Sequence, residues 1–129
     1  MKNFKNELKD IENKLFKEIK KLIDKENIIK PEYAELLKQK RVLEEIKIYK
    51  STYKKKVEIK GKKYEYKPLQ LHAILKKSEK TITIAHVQSR KSKEKLNRLY
   101  KLIRAYQTIR RVEKELKEVE NIKKLLKEV

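Results

Sequence analysis

Cysteine is absent, so no disulfide framework and no thiolate metal site can be built from this chain. Glycine occurs once, at Gly61. A glycine-rich loop of the kind that cradles nucleotide phosphates is therefore excluded. Proline occurs only at Pro31 and Pro68, tryptophan not at all, and the only aspartates are Asp10 and Asp24. Two histidines, His72 and His86, complete a thin inventory for catalysis or metal ligation, and no His/Asp/Glu cluster has metal-ligand spacing. No apolar run approaches the roughly 20 residues of a membrane span, and the Met-Lys-Asn-Phe start lacks an apolar signal core. The expectation is a soluble cytoplasmic protein with no cofactor, no metal and no membrane partner.

What the chain has is charge of one sign. Lysine and arginine number 38 against 19 acidic residues in 129, a net +19. Leu, Ile, Val and Phe together supply 37 residues, enough for a lean core in one domain and above the level of about 20% at which disorder is the default. Biased codon usage could enrich lysine, but it would not sort the charges along the chain. Residues 1–48 carry 13 basic and 10 acidic side chains, residues 49–111 carry 20 and 4, and residues 112–129 carry 5 and 5. The excess is confined to the middle.

The hydrophobic pattern predicts an α+β fold, mostly helical, in one domain. Phe4, Leu8, Ile11, Leu15, Ile19 and Leu22 recur every three or four residues, an amphipathic helix over about the first 25 residues. Pro31 suits the first turn of a second helix lined by Tyr33, Leu36, Leu37, Leu43, Ile46 and Tyr53. The two would form an antiparallel helical hairpin over residues 1–50. From Val57 to Tyr66 the period becomes two, with Gly61 at the turn. A turn at Lys60-Gly61 opposes Glu58 to Lys63 and Lys56 to Glu65, and charge favours it by about 1 kcal/mol over Gly61-Lys62.

Pro68 is expected to start a short helix holding Leu71, Ile74 and Leu75. Residues 81–87 read as a strand joining the 56–66 hairpin in a three-stranded antiparallel sheet. Ser89 or Ser92 caps a long final helix. In its first half Leu96, Leu99, Leu102, Ile103, Tyr106 and Ile109 share one face, and Arg90, Lys93, Lys101, Arg104 and Arg111 share the opposite one. Beyond residue 112 the apolar stripe of Leu116, Val119, Ile122, Leu126 and Val129 drifts toward the side that the basic stripe held. A break near 110–112, or a change of partner there, would accommodate both.

Residues 49–67 combine Lys54, Lys55, Lys56, Lys62, Lys63 and Lys67 with Tyr49, Tyr53, Tyr64 and Tyr66. Clustered cations neutralise phosphates and release condensed counterions, and tyrosine rings can stack on unpaired bases. Set against this, a hairpin whose Val57 and Ile59 face a core would bury Tyr64 and Tyr66 with them. That core placement is the one the pattern favours, leaving the lysines on the other face. Lysine outnumbers arginine 32 to 6, which suits sequence-tolerant backbone contact over base readout.

The expected function is non-enzymatic nucleic-acid binding, to DNA or RNA, through these lysines and through Arg90, Lys93, Lys101, Arg104 and Arg111. Tyr49, Tyr53, Tyr64 and Tyr66 are the candidate stacking residues. The near-neutral ends, with coiled-coil-like stripes, would pack together or make a homodimer. Two rivals stand beside this: a small interaction or inhibitor protein, virus- or mobile-element-encoded, docking on an acidic protein or nucleoprotein, and a metal-independent ribonuclease using His86 with Arg90 or Tyr64.

Overall fold

In a computed structural model, which describes residues 3–128, the chain is α+β. Helix α1, Phe4–Glu26, opens on Asn3, whose side chain accepts a hydrogen bond from the Lys5 backbone N–H at 3.1 Å. It ends at Asn27, in the left-handed region at φ 51°. Ile28 and Ile29 then enter the core, and Pro31 begins α2, Pro31–Leu37. A second short helix, α3, Lys40–Glu45, follows.

The five strands are β1 Lys47–Thr52, β2 Lys55–Ile59, β3 Lys62–Tyr66, β4 Leu69–Ile74 and β5 Thr81–Val87. Helix α4, Arg90–Lys127, runs unbroken for 38 residues from its cap at Ser89, whose hydroxyl accepts from the Ser92 N–H.

The three-stranded antiparallel sheet has the order β1-β4-β5. Two expectations are corrected here. The second helix does not run through residue 53: it is two short helices, and residues 47–52 are the edge strand β1, so Tyr53 lies just past a strand. Residues 69–74 are likewise a strand, since Leu69, Leu71 and Ala73 alternate inward with Gln70, His72 and Ile74. The 3/4 spacing of Leu71, Ile74 and Leu75 after a proline imitates a helix only until the sheet claims the segment.

The hairpin of β2 and β3 is a separate two-stranded sheet, and β5 pairs with β4 instead of with it. Its turn is at Lys60-Gly61, both with positive φ, and its register sets Lys56 opposite Glu65 and Glu58 opposite Lys63 as the charge pattern requires.

Helices α1 and α4 lie antiparallel, tied by Lys5–Glu120 at 2.6 Å near one end and Lys95–Glu26 near the other. The near-neutral ends of the sequence thus pack together within one chain. Leu96, Leu99, Ile103 and Tyr106 of α4 are fully buried, in one core with Ile19 and Ile23 of α1 and Leu71, Ala73, Ile84 and Ala85 of the sheet. Past Lys114, which pairs with Glu44 of α3, the helix faces Lys5, Leu8 and Lys9 of α1 through Leu116, Lys117 and Glu120. Val119, Ile122, Leu125 and Leu126 remain exposed, and Val129 lies outside the described residues. The phase shift therefore records a change of partner along a continuous helix.

At the far edge β5 has a bulge at Ile84, whose carbonyl accepts from the Lys30 N–H at 2.9 Å.

Candidate nucleic-acid interface

The register of β1 with β4 and of β2 with β3 is one register. Lys47 opposes Ile74, Thr52 opposes Leu69, Lys55 opposes Tyr66 and Ile59 opposes Lys62, so the two residue numbers always add to the same value. Residues 47–74 form a single long hairpin, relaxed for two residues on each limb around Tyr53-Lys54 and Lys67-Pro68. Pro68 has no N–H to donate, which accounts for the pause in the ladder without any slip. The near half of this hairpin is sheet over a core. The far half is an arm, residues 55–66, in which no residue is buried.

The arm carries the predicted lysines. Lys54, Lys55, Lys56, Lys62, Lys63 and Lys67 are all exposed, and among the described residues only Lys54 makes an ion pair, with Glu65 at 3.7 Å. The core placement expected for Tyr64 and Tyr66 is overturned: they are 42% and 37% exposed, beside Ile59 at 48%. There is no element behind the arm to bury them. Nor do the lysines keep to one face. Lys55 and Lys62 alternate onto the tyrosine side, while Lys56 and Lys63 share the other side with Glu58 and Glu65.

Where the hairpin becomes sheet, its outward side is aromatic. Tyr49 stacks on His72 across the strands, with centroids 4.8 Å apart. Tyr53 stacks on His86 at 6.0 Å, and its hydroxyl lies 3.0 Å from His86 Nε2. His72 is fully engaged: Nε2 is 2.6 Å from Ser51 Oγ and Nδ1 is 3.0 Å from Thr83 Oγ1. Because the Ser51 hydroxyl donates to Gln70 Oε1 at 3.3 Å, it accepts from His72 Nε2–H, and Thr83 donates to Nδ1. His72 is a strand residue held by neighbours. His86 is exposed and paired with Tyr53, while Arg90 pairs with Glu94 at 3.4 Å.

The basic stripe of α4 divides in two. Lys101, Arg104 and Arg111 are exposed, Lys93 is half-buried, and among the described residues Arg104 and Arg111 form no ion pair. Both arginines line an open groove of about 620 Å³ between α4 and the edge strand β1, together with Lys47, Tyr49, Gln107, the carboxylates Glu44 and Glu45, and Lys114, which pairs with Glu44. Gln107 fixes this geometry by donating to the backbone carbonyls of Leu43 and Ile46, at 2.9 and 2.7 Å, which holds the entry to β1 against α4. Lys47 and Lys114 lie outside the lysine-rich block and were not expected here. The alternation Lys47, Tyr49, Ser51, Tyr53 was the signal that would have placed the first of them.

Other cations are used internally. Lys50 donates to Asn97 Oδ1 at 3.0 Å and sits 4.7 Å above the Tyr100 ring. Arg110 is held among Glu12, Glu44 and Glu113, at 3.5, 3.4 and 3.4 Å. Tyr106, buried next to them, has its hydroxyl pushed up to about 12 by burial and then by the Glu12 charge.

Among the described residues no group of three or more His, Asp or Glu side chains is arranged to hold a metal ion, and no helix is long and apolar enough to cross a membrane. Comparisons with family models, curated proteins and solved structures give no match to this chain.

Proposed function

We propose that the chain is a non-enzymatic nucleic-acid-binding protein that contacts the phosphate backbone through the hairpin arm and the exposed arginines of α4. The observation that carries this is the arm itself. Twelve residues fold into a ribbon in which no residue is fully buried, and its five lysines outnumber its two carboxylates, Glu58 and Glu65. A two-stranded ribbon gains little stability on its own in water. Its composition suits contact with a polyanion. Arg104, Arg111 and Lys47 around the groove supply a second cationic surface continuous with the β1 edge of the same hairpin. Lysine contacts phosphate as a mobile point charge, so binding should tolerate most sequences.

Titration of a labelled oligonucleotide at several salt concentrations tests the proposal. With 6–10 phosphates neutralised, affinity falls by about 10³–10⁵ between 50 and 200 mM salt. Replacing Lys54, Lys55, Lys62 and Lys63 with glutamine flattens the log–log salt slope by about 3 to 4 and weakens binding. A slope near zero for the unaltered protein, or no oligonucleotide binding while an acidic protein is retained, would reject it.

A further inference from the structure

The nucleic acid this surface takes is, we infer, single-stranded, with unpaired bases stacked along one face of the long hairpin. The inference rests on the nucleic-acid proposal above and adds the class of ligand.

Side chains of a strand alternate between faces, and the register of the hairpin is constant from end to end. Residues 49, 53, 64 and 66 consequently fall on one alternation, the one that leaves the core on the near half and carries the uncovered aromatic side of the arm. All four are tyrosines. Each is between 37% and 42% exposed. The same alternation carries Lys47, Lys55 and Lys62 and no carboxylate, since both acidic residues of the hairpin, Glu58 and Glu65, fall on the other.

The result is a strip about 40 Å long, from the 13 residues of each limb at strand rise. The four rings occupy its middle, Lys55 lies beside Tyr66 across the strands, and Lys47 and Lys62 stand at the two ends of the row. A protein that recognised only the phosphates of a duplex would have no use for exposed rings, because paired bases present their edges and hide their faces. Stacked tyrosines beside lysines are what an unpaired strand can use: each base has a flat face for a ring, and each phosphate lies within reach of an ammonium.

The arrangement at the two ends of the strip is consistent with this. Tyr64 and Tyr66 already stack on each other with centroids 6.4 Å apart, and Tyr49 stacks on His72 while remaining exposed. Such pairs present a platform onto which a further planar group can be added.

The test is fluorescence anisotropy at one fixed salt concentration, with a 20-nucleotide single strand and a duplex of the same length, in DNA and RNA forms. The single strand of at least one chemistry should bind at least ten-fold tighter than its duplex. Tyr64→Ala and Tyr66→Ala, both on the arm and remote from the core, should each weaken single-strand binding about 5- to 150-fold and leave duplex binding unchanged. Tyr64→Phe should restore it, since the ring is retained. A duplex that binds as well as the single strand, or a Tyr64→Ala/Tyr66→Ala protein that binds single strands as the parent does, overturns the inference and leaves the backbone-binding proposal intact. Binding to none of the four oligonucleotides removes both.

Discussion

Arg110 reaches from α4 to Glu12 of α1, Glu44 of α3 and Glu113 one turn along its own helix. Glu12 is 1% exposed, so its charge has been taken out of water and depends on this guanidinium and on Lys9, 2.8 Å away. Arg110→Met keeps most of the volume and leaves that buried carboxylate with Lys9 as its one remaining cation among the described residues. The expected loss is about 3 kcal/mol, at the low end for a broken buried pair because Arg110 keeps a quarter of its own surface in solvent. Denaturant unfolding measures it, and a loss below about 0.5 kcal/mol would mean that the cluster is merely a surface network.

The carboxylates around Arg110 should titrate apart. Burial and then the Glu12 charge raise Glu113 above the ordinary glutamate value. Burial alone would raise Glu44 too, but the Lys114 hydrogen bond and the Arg110 charge outweigh it and hold Glu44 below that value. The signs are opposite in stability. Glu44 stabilises the fold above its unfolded value, a contribution lost as pH falls through the depressed one. Ionised Glu113 works against the fold, and that cost is relieved as pH falls through its raised value. Carboxyl NMR should show the Glu113 midpoint above the Glu44 midpoint; coincident midpoints would contradict the geometry.

Between the elements, the division of the hairpin into sheet and arm has a direct consequence for stability. A chain in which residues 54–67 are replaced by Asn-Gly keeps Tyr53 opposite Pro68 and closes β1 onto β4 with a two-residue turn. Since none of the excised strand residues is buried, the melting temperature should stay within about 4 °C of the parent while oligonucleotide affinity drops at least about ten-fold. A cooperative transition lost or lowered far beyond that would show that the arm supports the core.

The elements that could be read from the residues alone were those whose pattern is local: α1, the hairpin register, the strand at 81–87 and the start of α4, with its cap narrowed to Ser89 or Ser92. Residues 47–52 and 69–74 could not be read in the same way. Ile46 and Tyr53 extend the helical run that starts at Tyr33, and Leu71, Ile74 and Leu75 follow a proline. Each segment becomes a strand because the other is there to pair with, a fact that no window on either contains. The same limit hid the face of the arm. Alternation placed Tyr64 and Tyr66 together with Val57 and Ile59, but whether anything lies over them depends on where the rest of the chain goes.

Across the whole molecule, charge and fold divide in the same place. The near-neutral ends supply α1, the two short helices and the last third of α4, with the carboxylates of the acidic cluster. The cationic middle supplies most of the sheet, the arm and the first part of α4, which shares its core with α1. Counting charges along the chain was enough to locate the candidate surface. It could not tell that Arg110 and Lys50 are committed internally, or that Lys47 and Lys114 join Arg104 and Arg111, because those assignments depend on contacts between residues far apart in sequence.

The unbroken register also restricts how this hairpin can change in length. A lone residue gained or lost on one limb would invert the alternation of that limb beyond it, so that the rings on the two sides of the change would no longer share a face. Variants that preserve the tyrosine strip must therefore grow or shrink in balanced steps of two residues per limb, so that reach is quantised while the chemistry presented stays the same.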